Sequence, residues 1–559
     1  MLDRRLRLAI TVVLFVAGCS AAPPAPRDAS TPHAHLTVAD GAAPPLFENL
    51  GTYHRPVTTP SGRAQAYFDQ GLRLVYGFNH GEAQLAFREA VRADPGCAMC
   101  YWGIALTSGS NYNSPTDAER ERLAYQAIQA ARALASRASA PERALIDALA
   151  ARHSARADAD RATLDRAYAD AMREAARRFP DDPDASTLFA DALMNVRPWD
   201  LWTADGRPHP GTPEILAALE HVLAASPDHP GANHLYIHAV EASQQPERGV
   251  TAADRLGGLM PGAGHIVHMP SHIYLRVGRY ADAVDANVRA VAADRAYFAR
   301  REPSAIYRMG YYPHNIDFIW YAAGMEGRSA ETIRAARQLA AEVHIEALRE
   351  MPDMENAHAA PLFALVRFGR WAEALGQPAP PAETKYLTGA WRYTRGLAFA
   401  ATGRPEEARH ELAALRAVVA GMPVESRPAP FFTSRDLLVL AADVLAGEIA
   451  ARAAQTDVAV RHLSQAVTAQ DRHWFTEPPP WYFPVRHSLG AVLLDAGRAA
   501  DAEAVYREDL RRNPENGWSL FGLAASLRAQ GKTAEAEDVD RRFQRAWSRA
   551  DVTLSASRF

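Results

Sequence analysis

The sequence has little cysteine, little strand signal and no excess of charge, and each shortage excludes something. Only Cys19, Cys97 and Cys100 are present in 559 residues, so a structural zinc site built on several thiolates has too few ligands. Runs of alternating apolar and polar residues are nearly absent, which removes sheet-based folds. The 61 basic and 65 acidic residues leave a net charge of −4, so no polyanion-binding face is expected and nucleic acid is not expected as a partner. There is no Gly-rich phosphate loop, no GxSxG elbow and no HExxH helix. The only long apolar run, Leu8–Ala17, is too short to span a bilayer as a stable helix.

That run is instead read as targeting sequence. Arg4, Arg5 and Arg7 precede it, and it ends Val16-Ala17-Gly18-Cys19. The ending resembles the lipobox of bacterial lipoproteins. The resemblance implies that residues 1–18 form a signal peptide and that Cys19 is lipidated. It further implies attachment to the cell envelope through that lipid; Ser20 after the cysteine points to the outer membrane, facing the periplasm. Residues 19–62, rich in Ala, Pro and Thr, are expected to be a disordered tether. Cys97 and Cys100 form a Cys-x-x-Cys followed by Tyr101 rather than His, so it is not a c-type haem attachment site. A local disulfide, inert thiols and metal ligation all stay open for this pair.

From Arg63 onward the pattern is helical, and it repeats. In the stretch that starts at Ala64, Gly71, Ala83, Phe87, Ala90 and Pro95 fall at positions 8, 20, 24, 27 and 32. This resembles the tetratricopeptide repeat (TPR), in which small residues at 8, 20 and 27 let two antiparallel helices pack closely and a proline ends the second. Further units place Gly278, Gly327, Gly403 and Gly497 at position 15. The fold implied is all-α, a TPR-like superhelix or α-solenoid. Gly376–Glu383 (GQPAPPAE) suggests a boundary, giving N-terminal repeats over 63–375 and C-terminal repeats over 376–559. Arg197–Pro213 is a long loop rich in Trp, Pro and Gly, and loops of that length are often functional.

The chemistry concentrates between Asn233 and Tyr274. His234 and His268 are 34 residues apart, as are His238 and His272, and 34 is the length of one repeat. With Pro230, Gly264 and Pro313 as first residues of three successive units, His234, His238 and Glu241 stand at positions 5, 9 and 12 of the first. His265, His268 and His272 stand at 2, 5 and 9 of the second, and His314 at 2 of the third, followed by Asp317 and Tyr321. Spacings of i, i+4, i+7 and i, i+3, i+7 each share one helix face. In the tetratricopeptide family these positions line the concave groove. The cluster therefore predicts a divalent or redox metal site on His234, His238, Glu241, His265, His268, His272 and His314, with zinc, copper or iron as the ion. Pro270 is expected to disturb the second of these helices and re-aim His265 and His268. Tyr236, Tyr274 and Asn315 are candidates to orient ligands. Glu477 and Trp481 stand in a Pro-rich break that can fold back over the groove.

Two functions follow. One is a metal-binding protein of the envelope, as an enzyme a hydrolase or oxidoreductase acting on a small substrate. It predicts a closed groove lined with His. The other is a scaffold that binds a protein or peptide without catalysis, the usual work of this repeat family, and it predicts an open groove.

Overall fold

A computed structural model describes residues 43–559 apart from 157, 346–347, 349–353 and 426–430. The expected signal peptide, Cys19 and the first part of the expected tether lie outside the described residues. Within them the chain is a succession of antiparallel helix pairs with no strand, and only two isolated β-bridges occur, Asn111 with Ser114 and Trp202 with Pro208.

The small residues act as the repeat pattern requires. Gly71 on the helix Gly62–Tyr76 faces Phe87 of the helix His80–Ala93, and a Cβ there would meet that ring at 2.7 Å. The glycines at position 15 turn the chain between helices in the left-handed region, with φ +80° at Gly278 and +72° at Gly497. The first unit breaks this rule. Its position 15 is Phe78, at φ +54°, a conformation that costs a side-chain-bearing residue roughly 1–2 kcal/mol.

Residues 43–61, expected as part of the tether, are packed against the first units instead. Leu50 is buried. Phe47 N donates to Gln70 Oε1 (2.8 Å), and Tyr53 Oη donates to Asp184 Oδ1 (2.7 Å). The Arg55 guanidinium, also buried, pairs with Asp182 and Asp184, each at 2.7 Å. A few aromatic residues and one arginine anchor a segment whose average composition reads as linker. Cys97 and Cys100 are joined in a disulfide at the start of the helix Ala98–Ser108.

The apolar core is continuous across 376. Leu362 and Phe363 of the helix Glu355–Arg367 share it with Tyr386 and Leu387 of the helix Lys385–Ala401. The superhelix winds far enough for its last units to dock on its middle. Trp518 Nε1 donates to Gly324 O (2.9 Å), and the Asp551 carboxylate accepts from Ser329 N and Ala330 N (2.6 and 2.9 Å) at the start of the helix Ser329–Glu342. That closure brings the segment around Glu477 over the concave face. No helix among the described residues is long and apolar enough to cross a membrane.

Candidate metal centre

The helix Pro230–Glu241 is buried on every side, so its polar residues have only each other and the neighbouring helices to meet. It starts at His229, whose Nδ1 accepts from Ala232 N (3.0 Å) and whose Nε2 faces Asp184 Oδ1 (3.3 Å). His229 is thus a helix cap and stands outside the cluster. The second histidine helix is interrupted, as Pro270 predicts: Gly264–His268 and Pro270–Arg276 are separate helices joined at Met269. Met269 keeps right-handed helical dihedrals (φ −50°, ψ −36°), so the break is local and His265, His268 and His272 still turn to one concavity.

Three overlapping groups have donor atoms within 4.8 Å of one another. They are His234, His238 and His265; His268, His272 and His314; and His238, Glu241, His272 and Glu477. All seven residues expected from the sequence are therefore brought together, and Glu477 joins them from the Pro-rich break. His234 and His268 are completely buried; His238, Glu241, His265 and His272 are at most 3% exposed.

The hydrogen bonds fix the imidazole tautomers. His234 Nδ1 lies 2.6 Å from the Tyr76 carbonyl, which only accepts, so Nδ1 carries the proton and Nε2 a lone pair. His238 Nδ1 donates to Glu241 Oε1 (2.7 Å), and His272 Nδ1 donates to Glu241 Oε2 (2.5 Å) with Glu477 Oε2 against the same nitrogen. His268 Nδ1 is 2.6 Å from Asn287 Oδ1; because Asn287 Nδ2 donates to Ala283 O, that oxygen is the acceptor. All four rings are thus held at Nδ1 with Nε2 aimed inward. Metal-ligating histidines are oriented in this way by a carbonyl or carboxylate on the far nitrogen. His234 Nε2, His238 Nε2 and both ring nitrogens of His265 are buried with no hydrogen-bond partner, each a penalty of about 1–3 kcal/mol unless a ligand meets it.

His268 Nε2 and His272 Nε2 stand 2.7 Å apart. That is a hydrogen-bond distance, so one of the two nitrogens carries a proton that the other accepts. Burial alone would lower the pKa of His272, but the carboxylates of Glu477 and Glu241 at its Nδ1 outweigh burial and hold it up at about 10. Burial pushes the other imidazoles down, with like-charged neighbours adding to it: His238 to about 3, His314 to about 4, and His234, His265 and His268 well below the ordinary value. They are neutral and competent to ligate. Burial, then the Glu241 charge, raises Glu477 to about 7.

Aromatic rings enclose the cluster. Phe78 packs on His234, His238 and His265 with centroids 4.4, 5.8 and 5.6 Å away. Phe318 packs on His268, His272 and His314 at 4.7, 5.0 and 4.9 Å. Trp199 from the 197–213 loop, itself in the left-handed region at φ +64°, stacks on Tyr112 and meets the edge of His238. Tyr311, from the insertion before the third unit, lies 4.4 Å from His265. Two non-glycine residues in strained conformations thus flank His238, which is where such strain tends to be kept. Phe78 is marked by standing at position 15 of the first unit where glycine is usual, and Trp199 by its place in the 197–213 loop; nothing local marks Tyr112 or Phe318.

The remaining candidates are placed elsewhere. Tyr236 and Tyr274 donate to Glu220 and Asp254 (2.7 and 2.8 Å) and orient no ligand. Their positions face the second helix of a unit rather than the groove. Asn315 donates to Asp294 Oδ2 (2.8 Å), and Asp294 also accepts from Tyr307, whose Oη in turn accepts from His265 N; its support is indirect. Asp317 accepts from Trp320 Nε1, and Trp481 lies in an aromatic group with Phe363 and Tyr393.

A cavity of about 490 Å³ reaches the cluster at Glu241, His272 and Glu477, walled by Arg276, Trp474 and Phe475 among others. A second, of about 520 Å³, lies on the far side of Phe78 and Tyr311 and includes His80 and Arg88.

No protein-family model matches the chain, and no curated protein sequence matches it. Solved structures to which it is similar include the APC/C hetero-tetramer Cut9–Hcn1, with 13% identity over 86% of this chain and 76% of that chain and a TM-score of 0.31. Another is the human IFIT1 dimer with m7Gppp-AAAA, with 13% identity over 87% of this chain and 91% of that chain and a TM-score of 0.30. At these scores the likeness carries no argument about function.

Proposed function

We propose that this protein binds a transition metal in the imidazole cluster and is a metal-dependent enzyme of the cell envelope acting on a small molecule. The observation that carries the reading is the set of ring nitrogens: the Nε2 atoms of His234 and His238, aimed inward by partners on Nδ1 and buried without a partner of their own, beside a fully unpartnered His265. Neutral imidazoles without a thiolate suit zinc, copper or iron. The ion would supply Lewis acidity or redox chemistry.

The chain's own residues prepare the site. Glu241 and Asn287 hold imidazoles in the ligating tautomer. The aromatic shell excludes water from the buried side. Glu477 stands where the 490 Å³ cavity meets the cluster, and a carboxyl held at about 7 keeps both protonation states accessible at neutral pH, as an acid–base group needs. The cavity admits a small molecule, whereas imidazoles this deeply buried offer a peptide no surface to lie on. The Val16–Cys19 pattern supports lipid attachment to the envelope.

The test is metal analysis by plasma mass spectrometry on protein purified without a histidine tag. At least one zinc, copper or iron per chain is expected, lost in the double variant His238→Ala, His272→Ala with wild-type circular dichroism. Protein that stays free of metal after incubation with each of these ions would overturn the reading.

A further inference from the structure

The two groups of three histidines are copies of one module. His234 and His238 occupy positions 5 and 9 of the unit that begins at Pro230, and His265 occupies position 2 of the next. His268 and His272 occupy positions 5 and 9 of the unit that begins at Gly264, and His314 occupies position 2 of the next. The structure gathers the donors in these sets: His234, His238, His265, and His268, His272, His314. Their supports recur as well. The position-5 ring donates to a neutral oxygen in each, Tyr76 O and Asn287 Oδ1. The position-9 ring donates to Glu241 in both. One phenylalanine packs on all three rings of each set, Phe78 on the first and Phe318 on the second. The series stops on both sides: Gly231 fills position 2 of the first unit, and Asp317 and Tyr321 fill 5 and 9 of the third.

We propose that the chain holds two transition-metal ions, one on each three-histidine module, coupled through Glu241; this rests on the reading that the cluster binds metal. Six imidazoles exceed what a single four-coordinate ion accepts. Three protein ligands per ion is the number found in catalytic sites, which keep a position for an exogenous ligand, rather than in closed structural ones. Glu477 has its donor within 4.8 Å of His238 from one module and His272 from the other, so a small ligand arriving through the cavity meets both ions beside a carboxyl group.

Metal-free, untagged protein titrated with Co(II), followed by its visible absorption and by equilibrium dialysis, distinguishes the alternatives. Wild type is expected to bind two equivalents per chain. His265→Ala and His314→Ala are each expected to bind one, with wild-type circular dichroism and melting; His265→Asn and His314→Asn replace either alanine variant that fails to fold. One equivalent in wild type overturns the pair of sites and leaves the metal-binding reading standing. Two equivalents retained in either variant, or none in a folded one, overturns the assignment of separate modules. No binding by wild type overturns the metal-binding reading itself.

Discussion

Glu241→Gln changes one atom and separates an orienting role from a packing role. The Glu241 carboxylate accepts from His238 Nδ1 at 2.7 Å and from His272 Nδ1 at 2.5 Å, in a site where it is 1% exposed. A carboxamide of the same shape has one accepting oxygen and one donating nitrogen. It can satisfy only one of the two imidazoles; the other faces a donor and must move its proton to Nε2, which removes that nitrogen as a ligand. Loss of such a support typically costs 10–100-fold in metal affinity, roughly 1.4–2.7 kcal/mol at 1.36 kcal/mol per decade. One bound ion is therefore expected to be held 10–100-fold more weakly in Glu241→Gln, with the other little changed. Competition of the metal-free protein against a chromophoric chelator for Zn(II) reads the affinity, and the imidazole nitrogen shifts in NMR read which ring changes tautomer. Affinities within threefold of wild type for every ion, with both rings in the wild-type tautomer, would refute the reasoning that Glu241 sets the ligating form.

Metal-free protein should be most stable near pH 6.5–7. Five imidazoles have folded pKa values below their ordinary 6.5, so as the pH falls below 6.5 the unfolded chain takes up protons that the folded one refuses, and stability drops at up to about 1.4 kcal/mol per pH unit for each. His272 is raised to about 10, so its contribution is complete below 6.5 and is lost as the pH climbs to 10. Glu477, raised to about 7, loses its contribution between about 4.5 and 7 and partly offsets the acid limb. Denaturant midpoints in chelator from pH 4 to 9 check this; stability that rises on acidification from 6.5 to 4.5 would contradict it. Phe78→Gly relieves left-handed strain of roughly 1–2 kcal/mol but deletes a buried ring worth about 3–5 kcal/mol, a net loss of about 1–4 kcal/mol by equilibrium unfolding. Phe78 also lines the 520 Å³ cavity on one side and the first histidine module on the other. Chelator should therefore strip metal faster from Phe78→Gly, and an unchanged stripping rate would count against that ring as a barrier.

The helical repeats, their register and the helix faces on which the histidines sit are legible in the chain alone. These follow from local rules: a 3.6-residue period, small residues where two helices touch, and glycine where the chain turns at positive φ. Gly278 and Gly497 were readable for that reason, as were the paired positions of His234, His238, His268 and His272. What meets those rings depends on how the units stack. The Tyr76 carbonyl that sets the His234 tautomer lies 158 residues away in sequence. Glu477 arrives because the superhelix winds back on itself, Phe78 because the first unit packs on the helix Pro230–Glu241, and Phe318 from the unit that follows the second histidine helix. The packing of residues 43–61 was hidden because average composition reports flexibility, while a buried Arg55 between Asp182 and Asp184 is a contact between distant segments. Periodicity states which face a residue occupies within its own unit; which carbonyl, carboxylate or ring faces it depends on how many units stack and with what twist, and that is summed over the whole solenoid.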